Sequence, residues 1–306
     1  ALPISSEEKS INMYEGMPTT QTGSFNMTTI SLNSAFASIG TANNGYNSRT
    51  FNRFVNSLPA FQARVEAQYA GVPYPESSAL GGQTFDPANG TISPYSGDVM
   101  IPAFLRAYSL SGHGLDVFPS LTSLLPNWTV SYSGLAKLAT MKKVFKSFNI
   151  NHGYKSRYDV GSYNTFTSFQ EFMGGLGFIQ DVTTGLPTPS SMFDISTVSI
   201  SESFSPVFGV DMTFLNNLTA KAEWRRTRVV TLSMTSQQIT ETMSNDYVFG
   251  FGYKVVGLKL FQPKRTVRTK KATGRGNRDD DDSRQSGSRS TSNNRSGWQS
   301  DLNLKL

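Results

Sequence analysis

Side chains suited to catalysis or metal binding are few in this chain and lie far apart in the sequence. Of its 306 residues two are histidines, His113 and His152, and none is cysteine. A metal pair or a Ser/His hydrolase site would need supporting motifs, yet neither a His-x-x-x-His spacing nor a Gly-x-Ser-x-Gly elbow occurs. We therefore predict no catalytic residue, no metal site and no cofactor. His113 lies between glycines in a loop, and His152 lies on the apolar side of an alternating run, so structural or interfacial roles are expected.

The remaining chemical candidates are two clusters of charge near the C-terminal end. Asp279, Asp280, Asp281 and Asp282 could bind calcium, but EF-hand spacing is absent and the surrounding Gly/Ser/Arg sequence is typical of a solvated loop. The basic run at 264–271 could contact lipid phosphates or lipopolysaccharide. A solvated loop is the simpler interpretation of both clusters.

The formal net charge of +6 suggests nucleic-acid binding only until it is divided along the chain. Residues 263–298 contain ten Lys/Arg and four Asp, which accounts for the whole excess. The other 18 basic and 18 acidic residues balance, so no folded surface is expected to be basic. We predict no nucleic-acid partner.

The elements that must position these residues are strands rather than membrane-spanning helices. Hydrophobic residues make up 37% of the chain and the mean hydropathy is -0.32. No run reaches the roughly 18 apolar residues that a spanning helix needs.

The chain has neither an initiator Met nor a signal peptide, and it stops within an alternating run at 301–306. We therefore expect a segment of a longer polypeptide.

Residues 207–256 define the organisation of the chain, because apolar and polar residues alternate there with a period of two. Such alternation predicts strands with one apolar and one polar face. Asn216 and Asn217 predict a tight turn between two of them, since Asn tolerates positive φ. Aromatic residues on one face, with small or charged residues on the other, are typical of a membrane barrel wall. A soluble sandwich would give the same period and remains the alternative.

The chain divides into five regions by composition and periodicity. They are a polar N-terminal segment with one or two strands (1–49), helical insertions and loops (50–126), wall strands (127–262), a disordered charged loop (263–298) and the start of a further strand (299–306). Within the second region we predict a helix at 50–69 that is kinked or broken near Ser57 and Pro59, and another at 98–110. Residues 186–190 are expected to form a loop, and Ser205–Pro206 either a bulge in one long strand or a bend between two.

Two arginines interrupt the apolar face of one strand. Arg226 and Arg228 share parity with Trp224 and Val230. An arginine facing lipid at mid-depth costs about 2–4 kcal/mol. We therefore expect this part of the strand to lie beyond the bilayer, or its outer face to meet protein.

The pattern gives two sets of candidate functional residues. Aromatic side chains expected at the membrane interface or facing lipid are Trp128, Tyr132, Phe148, Tyr154, Phe208, Phe214, Trp224, Tyr247, Phe249, Phe251 and Tyr253. Candidates for a gate or a lumen element on the two helices are Phe51, Phe54, Phe61 and Phe104.

A series of phrases in the sequence resembles the C-terminal part of the SprA/Sov family. They include DVMIPAFLRAY at 98–108, LPNWTVSYSGL at 125–135, FKSFNINHGY at 145–154 and SNDYVFGFGY at 244–253. The phrases at 160–163, 204–214 and 218–231 are also similar to this family. Members of this family form the outer-membrane translocon of the type IX secretion system of Bacteroidetes. The resemblance covers roughly 98–261 and 299–306, is weaker over 1–97, and involves no catalytic motif.

The resemblance implies an all-β protein: an antiparallel transmembrane β-barrel segment of a very large barrel, with short helical insertions, in the outer membrane of a Gram-negative bacterium. It implies export of folded cargo proteins, linked to gliding motility. The partners it implies are other segments of the same polypeptide, a PorV-like shuttle barrel, a plug protein and secreted cargo. Two alternatives remain from the residues themselves: a porin or nutrient receptor that passes small solutes, and a surface adhesion β-protein.

Overall fold

The computed structural model describes residues 4–10, 20–45, 47–88, 92–110, 114–115, 117–118, 126–173, 176–258 and 300–305. They are mostly β-strand, in two antiparallel sheets, with few helices. The strands are β1 (Ile4–Ser10), β2 (Thr20–Thr28), β3 (Trp128–Tyr132), β4 (Phe145–Thr165), β5 (Gln170–Met173), β6 (Leu176–Gln180), β7 (Pro187–Ser190), β8 (Phe193–Ile195), β9 (Thr197–Phe214), β10 (Leu218–Ser233), β11 (Gln238–Leu258) and β12 (Ser300–Lys305). The helices are α1 (Leu32–Ala35), α2 (Arg49–Tyr69) and α3 (Gly97–Tyr108).

Nine strands form the large sheet, in the order β1-β2-β4-β9-β10-β11-β12, with β3 and β8 also paired to β4. Every pairing is antiparallel. Among the described strands the sheet stays open, with β1 and β12 at its edges. The long strands β4 and β11 each have 21 residues, twice the roughly 9–11 that a tilted strand needs to cross a bilayer.

One strand position beside β4 is shared by two short strands. β2 pairs with the C-terminal half of β4, which we call the upper half, with Thr28 opposite Arg157. β3 pairs with the N-terminal half, the lower half, with Trp128 opposite Tyr154. Both run antiparallel to β4. Together they act as a single strand that is interrupted after residue 28 and resumed at residue 128. All three α-helices belong to the segment between β2 and β3, residues 29–127, which we call the insertion.

The predicted strand alternation and turn are confirmed in the hairpin of β9 and β10. Three residues, Leu215, Asn216 and Asn217, connect the two strands, one more than the asparagine pair alone, and Asn217 has a φ of 65°. β9 is one continuous strand with a shift of register between Trp224 and Arg226 on β10, opposite Ser205 and Pro206. Of the two expectations for this proline, a bulge in a long strand is the one that the structure adopts.

The first long helix was predicted to be kinked or broken, and the break is wrong, because α2 continues through Pro59. A proline inside a helix removes one backbone hydrogen bond. Here Pro59 lies on the exposed side of α2, where water can satisfy the freed carbonyl. Five residues on the opposite side hold both halves in the core: Phe54, Leu58, Phe61, Val65 and Tyr69. The second helix forms close to its predicted bounds, with Asp98 in its first turn.

The core lies between the helices and the upper half of the large sheet. α2 and α3 pack against each other, and their apolar sides cover one face of β4, β9 and β10. Phe104 of α3, Tyr158 of β4 and Leu232 of β10 are fully buried in this cluster. Burying an apolar side chain of this size contributes about 1.5–3 kcal/mol, so the layer of helices is held to the sheet mainly by apolar contact.

A small sheet of β5, β6 and β7 lies beside the core. The loop predicted at 186–190 is wrong there, because Pro187 and Pro189 lie in β7 opposite Gln180 and Phe178. β7 is an edge strand, the position in a sheet where proline is tolerated. The polar composition of residues 1–22 predicts irregular structure, and this prediction is wrong, because β1 and the first residues of β2 lie there.

No helix among the described residues combines the length and the apolarity needed to span a membrane. The charged segment at 263–298, its aspartates and basic run, and His113 lie outside the described residues.

Candidate functional site

One face of the large sheet carries an exposed aromatic surface at the end of the sheet away from the helices. Paired residues share a face, and the register places Phe208 and Tyr247 on either side of Trp224. Phe249, Phe251 and Tyr253 follow on β11 with the same parity. Their side chains are 69%, 57% and 46% exposed. We call these six residues the aromatic face.

Further aromatic side chains on β3 and β4 extend the exposed surface beyond the aromatic face. Phe148 contacts Phe145, whose ring lies 4.9 Å from that of Phe214. Tyr132 is opposite Ile150 in the ladder and is 54% exposed. The surface therefore extends over five neighbouring strands.

Trp128 and Tyr154 mark the upper limit of this surface. Their rings stack with centroids 4.5 Å apart. Trp128 is partly buried, but Tyr154 is fully buried, so the expectation that Tyr154 meets lipid is wrong. Its hydroxyl accepts a hydrogen bond from the Ser31 backbone N–H at 2.8 Å, which ties the first residues of the insertion to β4.

The opposite face carries a row of polar and charged side chains that crosses four strands. Ser131 donates to Asn151 at 2.8 Å, and Asn151 donates to Asp211 at 2.7 Å. Lys221 lies 3.9 Å from Asp211 and 2.6 Å from Glu223. Arg225 completes the row through two contacts to Glu223, at 3.0 and 2.5 Å. We call these six residues the polar ladder. The charges of its two acidic and two basic residues cancel.

Glu223 is the most buried member of the polar ladder, at 8% exposure, because the bulge of β9 covers it. A Cβ on Gly209 would lie 2.7 Å from Pro206 Cγ and 3.4 Å from Glu223 Cγ. Only a residue without a side chain fits beneath the proline ring. The bulge thereby shapes the polar face at its centre.

A buried ionic cluster lies on the aromatic side of the sheet, above the exposed surface. Arg228 donates to Glu241 at 2.6 Å and to Ser34 at 2.9 Å, and it lies 3.9 Å from Glu202. Its guanidinium also lies over the ring of Tyr108. From β10 the arginine contacts α1 and α3 as well as the two neighbouring strands, β9 and β11.

Glu202 connects this cluster to the start of the insertion. Its Oε1 accepts hydrogen bonds from Tyr154 at 2.9 Å and from Ser31 at 2.7 Å. Removing one partner from such a buried group leaves an uncompensated charge. The cluster therefore fixes the position of the insertion against β4, β9 and β10.

Arg226 lies on the same side of β10 as Arg228, between that residue and Trp224 of the aromatic face. Its guanidinium lies 5.1 Å from the ring centre of Phe36, and it donates to Asn245 at 3.3 Å. Of the two expectations for Arg226 and Arg228, contact with protein is the one that the structure shows, since both side chains are buried against the insertion.

The structure brings the helix aromatics to the same side of the sheet as the aromatic face. Phe54, Phe61 and Phe104 are 4%, 2% and 0% exposed and belong to the core cluster. They do not line an open passage. Phe51 is the exception, at 41% exposure, on the outer side of α2.

A cavity of about 430 Å³ lies between α2, α3 and β8, with Tyr69 and Asp98 in its wall. Burial raises the pKa of Tyr69 to about 12. Burial also raises the pKa of Asp98, against hydrogen bonds from Ser191. The backbone N–H of Ser191 donates to the carboxylate at 2.9 Å, so Asp98 links α3 to the segment after β7.

The His152 side chain contacts a backbone carbonyl and two aromatic rings. Its Nδ1 lies 2.7 Å from the carbonyl oxygen of Val207, and its ring lies against Trp128 and Phe204. Within the described part of the chain, no group of three or more His, Cys, Asp or Glu is arranged to hold a metal ion.

Sequence reasoning missed two sets of residues that the structure assembles, the polar ladder and the Glu202–Arg228–Glu241 cluster. The odd parity of Asp211, Lys221 and Glu223 was the available signal for the ladder. Glu202 and Glu241 share a face with Arg228 only through the register of three strands.

No family model matches this chain, and no characterised protein matches its sequence.

Proposed function

We propose that this chain is a wall segment of a protein-conducting outer-membrane barrel, similar to the SprA/Sov translocon, and that it exports folded cargo without chemistry of its own. The aromatic face meets lipid and the polar ladder meets the water-filled lumen. Other segments of the same polypeptide complete the barrel. A PorV-like shuttle, a plug protein and the cargo are the partners of the whole assembly.

The observation that carries this proposal is the exposure of the aromatic face on strands whose other face is polar. In a soluble sandwich a second layer covers the apolar face. Here α2 and α3 cover only the upper half, and Tyr247 and Phe249 remain 65% and 69% exposed. A contiguous aromatic surface of this kind needs a cover, and a bilayer provides one across all five strands.

The position of the helices follows from the same assignment. If the aromatic face points to lipid, the insertion between β2 and β3 lies outside the wall. The strands are long enough to cross a bilayer and to project beyond it, and the projecting half carries the helices. The insertion is therefore a buttress on the outer surface next to the membrane boundary, rather than a gate in the lumen.

The neutral polar ladder suits a passage for proteins of varied charge. A lumen wall with excess charge of one sign would hold cargo of the opposite sign. Asp211 and Glu223 are balanced by Lys221 and Arg225. The cations Lys221 and Arg225 are each 44% exposed, and an ion pair at the surface contributes about 0–1 kcal/mol to stability, so the ladder contributes little to holding the fold.

Deletion of the full-length gene tests the function. We expect cargo proteins to accumulate in the periplasm, and re-expression of the gene to restore their appearance in the medium. Normal secretion in the deletion strain would contradict the proposal. A porin or nutrient receptor would instead lose small-solute uptake and leave secretion intact.

Extraction tests the second alternative, a surface adhesion β-protein. A barrel wall stays in membranes washed with alkaline carbonate and leaves them only in detergent. A surface adhesion protein should be released by the wash.

A further inference from the structure

Two adjoining cavities open on the outer surface where α1 and α2 meet. One, of about 570 Å³, is lined entirely by polar side chains, among them Asn47, Asn52 and Asn56. The other, of about 390 Å³, adds the apolar side chains of Leu32 and Phe36. Both cavities share Ser38, Arg49 and Arg53. The pair forms one groove with a polar end and an apolar end.

The polar end is positively charged. Arg49 and Arg53 are one helical turn apart, so both guanidinium groups project from the same side of α2. Both are exposed, and within the described residues neither takes part in an ion pair. Residues 16–65 contain no Asp or Glu at all. No acidic side chain from the surrounding segment is available to neutralise these arginines.

The apolar end leads onto the aromatic face. Phe36 is 54% exposed and Leu32 is 38% exposed. The ring of Phe36 lies 5.2 Å from that of Phe204 and 6.4 Å from that of Trp224. Trp224 in turn stacks on Tyr247, at 6.1 Å. An unbroken apolar path therefore runs from the groove to the surface that we assign to lipid.

We propose that this groove binds an anionic membrane lipid. The headgroup phosphate lies between Arg49 and Arg53, and an acyl chain passes over Leu32 and Phe36 towards Trp224. This inference rests on the proposed function, because it requires the aromatic face to meet the bilayer.

The chemistry of the groove matches each part of such a lipid. The planar guanidinium forks of two arginines suit a phosphate group, with strong charge-assisted hydrogen bonds. The amides of Asn52 and Asn56 add donors for the polar headgroup. Apolar contact at Leu32 and Phe36 distinguishes a lipid from a free phosphate ion, which would gain nothing from that half of the groove.

The test uses the full-length protein, purified in detergent and freed of native lipid. Native mass spectrometry then counts bound molecules of added dioleoylphosphatidylglycerol, with dioleoylphosphatidylcholine as the zwitterionic comparison. The variants are Arg49→Gln and Arg53→Gln. Arg64→Gln is the matched control, because this exposed arginine lies on the same helix outside both cavities and stacks on Phe61.

We expect the parent protein to retain phosphatidylglycerol in preference to phosphatidylcholine. Each groove variant should lower the retained amount roughly tenfold, equivalent to about 1.4 kcal/mol, while Arg64→Gln leaves it unchanged. Leu32→Asn should weaken lipid retention as well, and millimolar inorganic phosphate should not displace the lipid. The elution volume of every variant on size exclusion must match that of the parent.

Three results would overturn the lipid site. These are equal retention of the two lipids, an equal loss in Arg64→Gln, or complete displacement by inorganic phosphate with no effect of Leu32→Asn. Failure of the proposed function looks different: secretion would continue in the deletion strain, or the protein would leave the membrane in carbonate. A protein that stays in the membrane and fails the lipid comparison refutes the groove alone.

Discussion

The ring of Phe36 covers the guanidinium group of Arg226, with 5.1 Å between the guanidinium carbon and the ring centre. Phe36 belongs to the insertion between β2 and β3, and Arg226 belongs to β10 of the large sheet. This contact divides the apolar side of the sheet into a lower part that is exposed and aromatic and an upper part that protein covers. It also explains how Arg226 can lie on the side of β10 that carries Trp224 and Val230.

Loss of Arg228 should weaken the attachment of the insertion to the large sheet. Arg228→Gln leaves Glu202 and Glu241 buried without their cation, and breaking a buried pair in this way costs about 3–5 kcal/mol. We expect a clear fall in the thermal unfolding midpoint of the detergent-solubilised protein. We also expect faster proteolysis within residues 29–127.

Arg225→Gln provides the control for this substitution, because Arg225 lies on the same strand and faces the opposite way. Its pair with Glu223 is partly exposed, so its loss should cost no more than about 1 kcal/mol. Equal effects of the two substitutions would show that Arg228 does not hold the insertion.

The buried carboxyl group of Asp98 should make stability depend on pH. Its folded pKa lies above the ordinary value of 3.8, so the folded state binds the proton more tightly than the unfolded state. The associated stability is complete below the unfolded pKa and is lost as pH rises through the folded pKa. Asp98→Asn cannot ionise and keeps an oxygen that accepts from Ser191. Its unfolding midpoint should rise relative to the parent as pH increases from about 4 to about 7.

Asp181 supplies a comparison of opposite sign. Backbone N–H groups of Thr183 and Thr184 lower the pKa of this exposed carboxyl group. Its contribution is present above the unfolded pKa and is lost as pH falls through the folded pKa. Asp181→Asn should therefore lower the midpoint at neutral pH and converge with the parent in acid. A parallel response of the two variants would contradict the assignment of Asp98.

A methyl group at Gly209 should disturb the bulge of β9. The new Cβ would lie 2.7 Å from Pro206 Cγ, and forcing a close contact of this kind costs about 1–3 kcal/mol. Gly209→Ala should lower the unfolding midpoint accordingly. Gly97→Ala is the control, because its nearest neighbour atom would be 3.9 Å away and alanine favours the helix. Unchanged stability of Gly209→Ala would show that the proline ring is free to move.

The sequence predicted the parts of the fold that depend on local chemistry. The alternation in β9, β10 and β11, the turn at Asn217, and the helical structure of residues 50–69 all follow from side-chain period and backbone preference. The loop predicted around Pro187 was wrong because proline is a local signal against a strand, whereas β7 is an edge strand whose neighbour β6 sets its conformation.

The relationships that matter most for function were not predictable from local pattern. Nothing near residue 28 indicates that the strand resumes at residue 128, because the two halves are joined only by their common partner β4. The same is true of the side on which the helices lie. Phe54 and Phe249 have similar apolar chemistry, yet Phe54 is buried on the core side of α2 and Phe249 is exposed on β11.

The assignment of the two faces is tested most directly at Phe249 and Gly250, neighbouring residues that point in opposite directions at the same depth of the sheet. This chain has no cysteine, so Phe249→Cys and Gly250→Cys each accept a single nitroxide spin label within it. In the full-length protein reconstituted in lipid, we predict that oxygen relaxes the label at 249 and a water-soluble nickel chelate relaxes the label at 250. The opposite pattern, or strong relaxation of both labels by the chelate, would contradict the account of a wall between lipid and water.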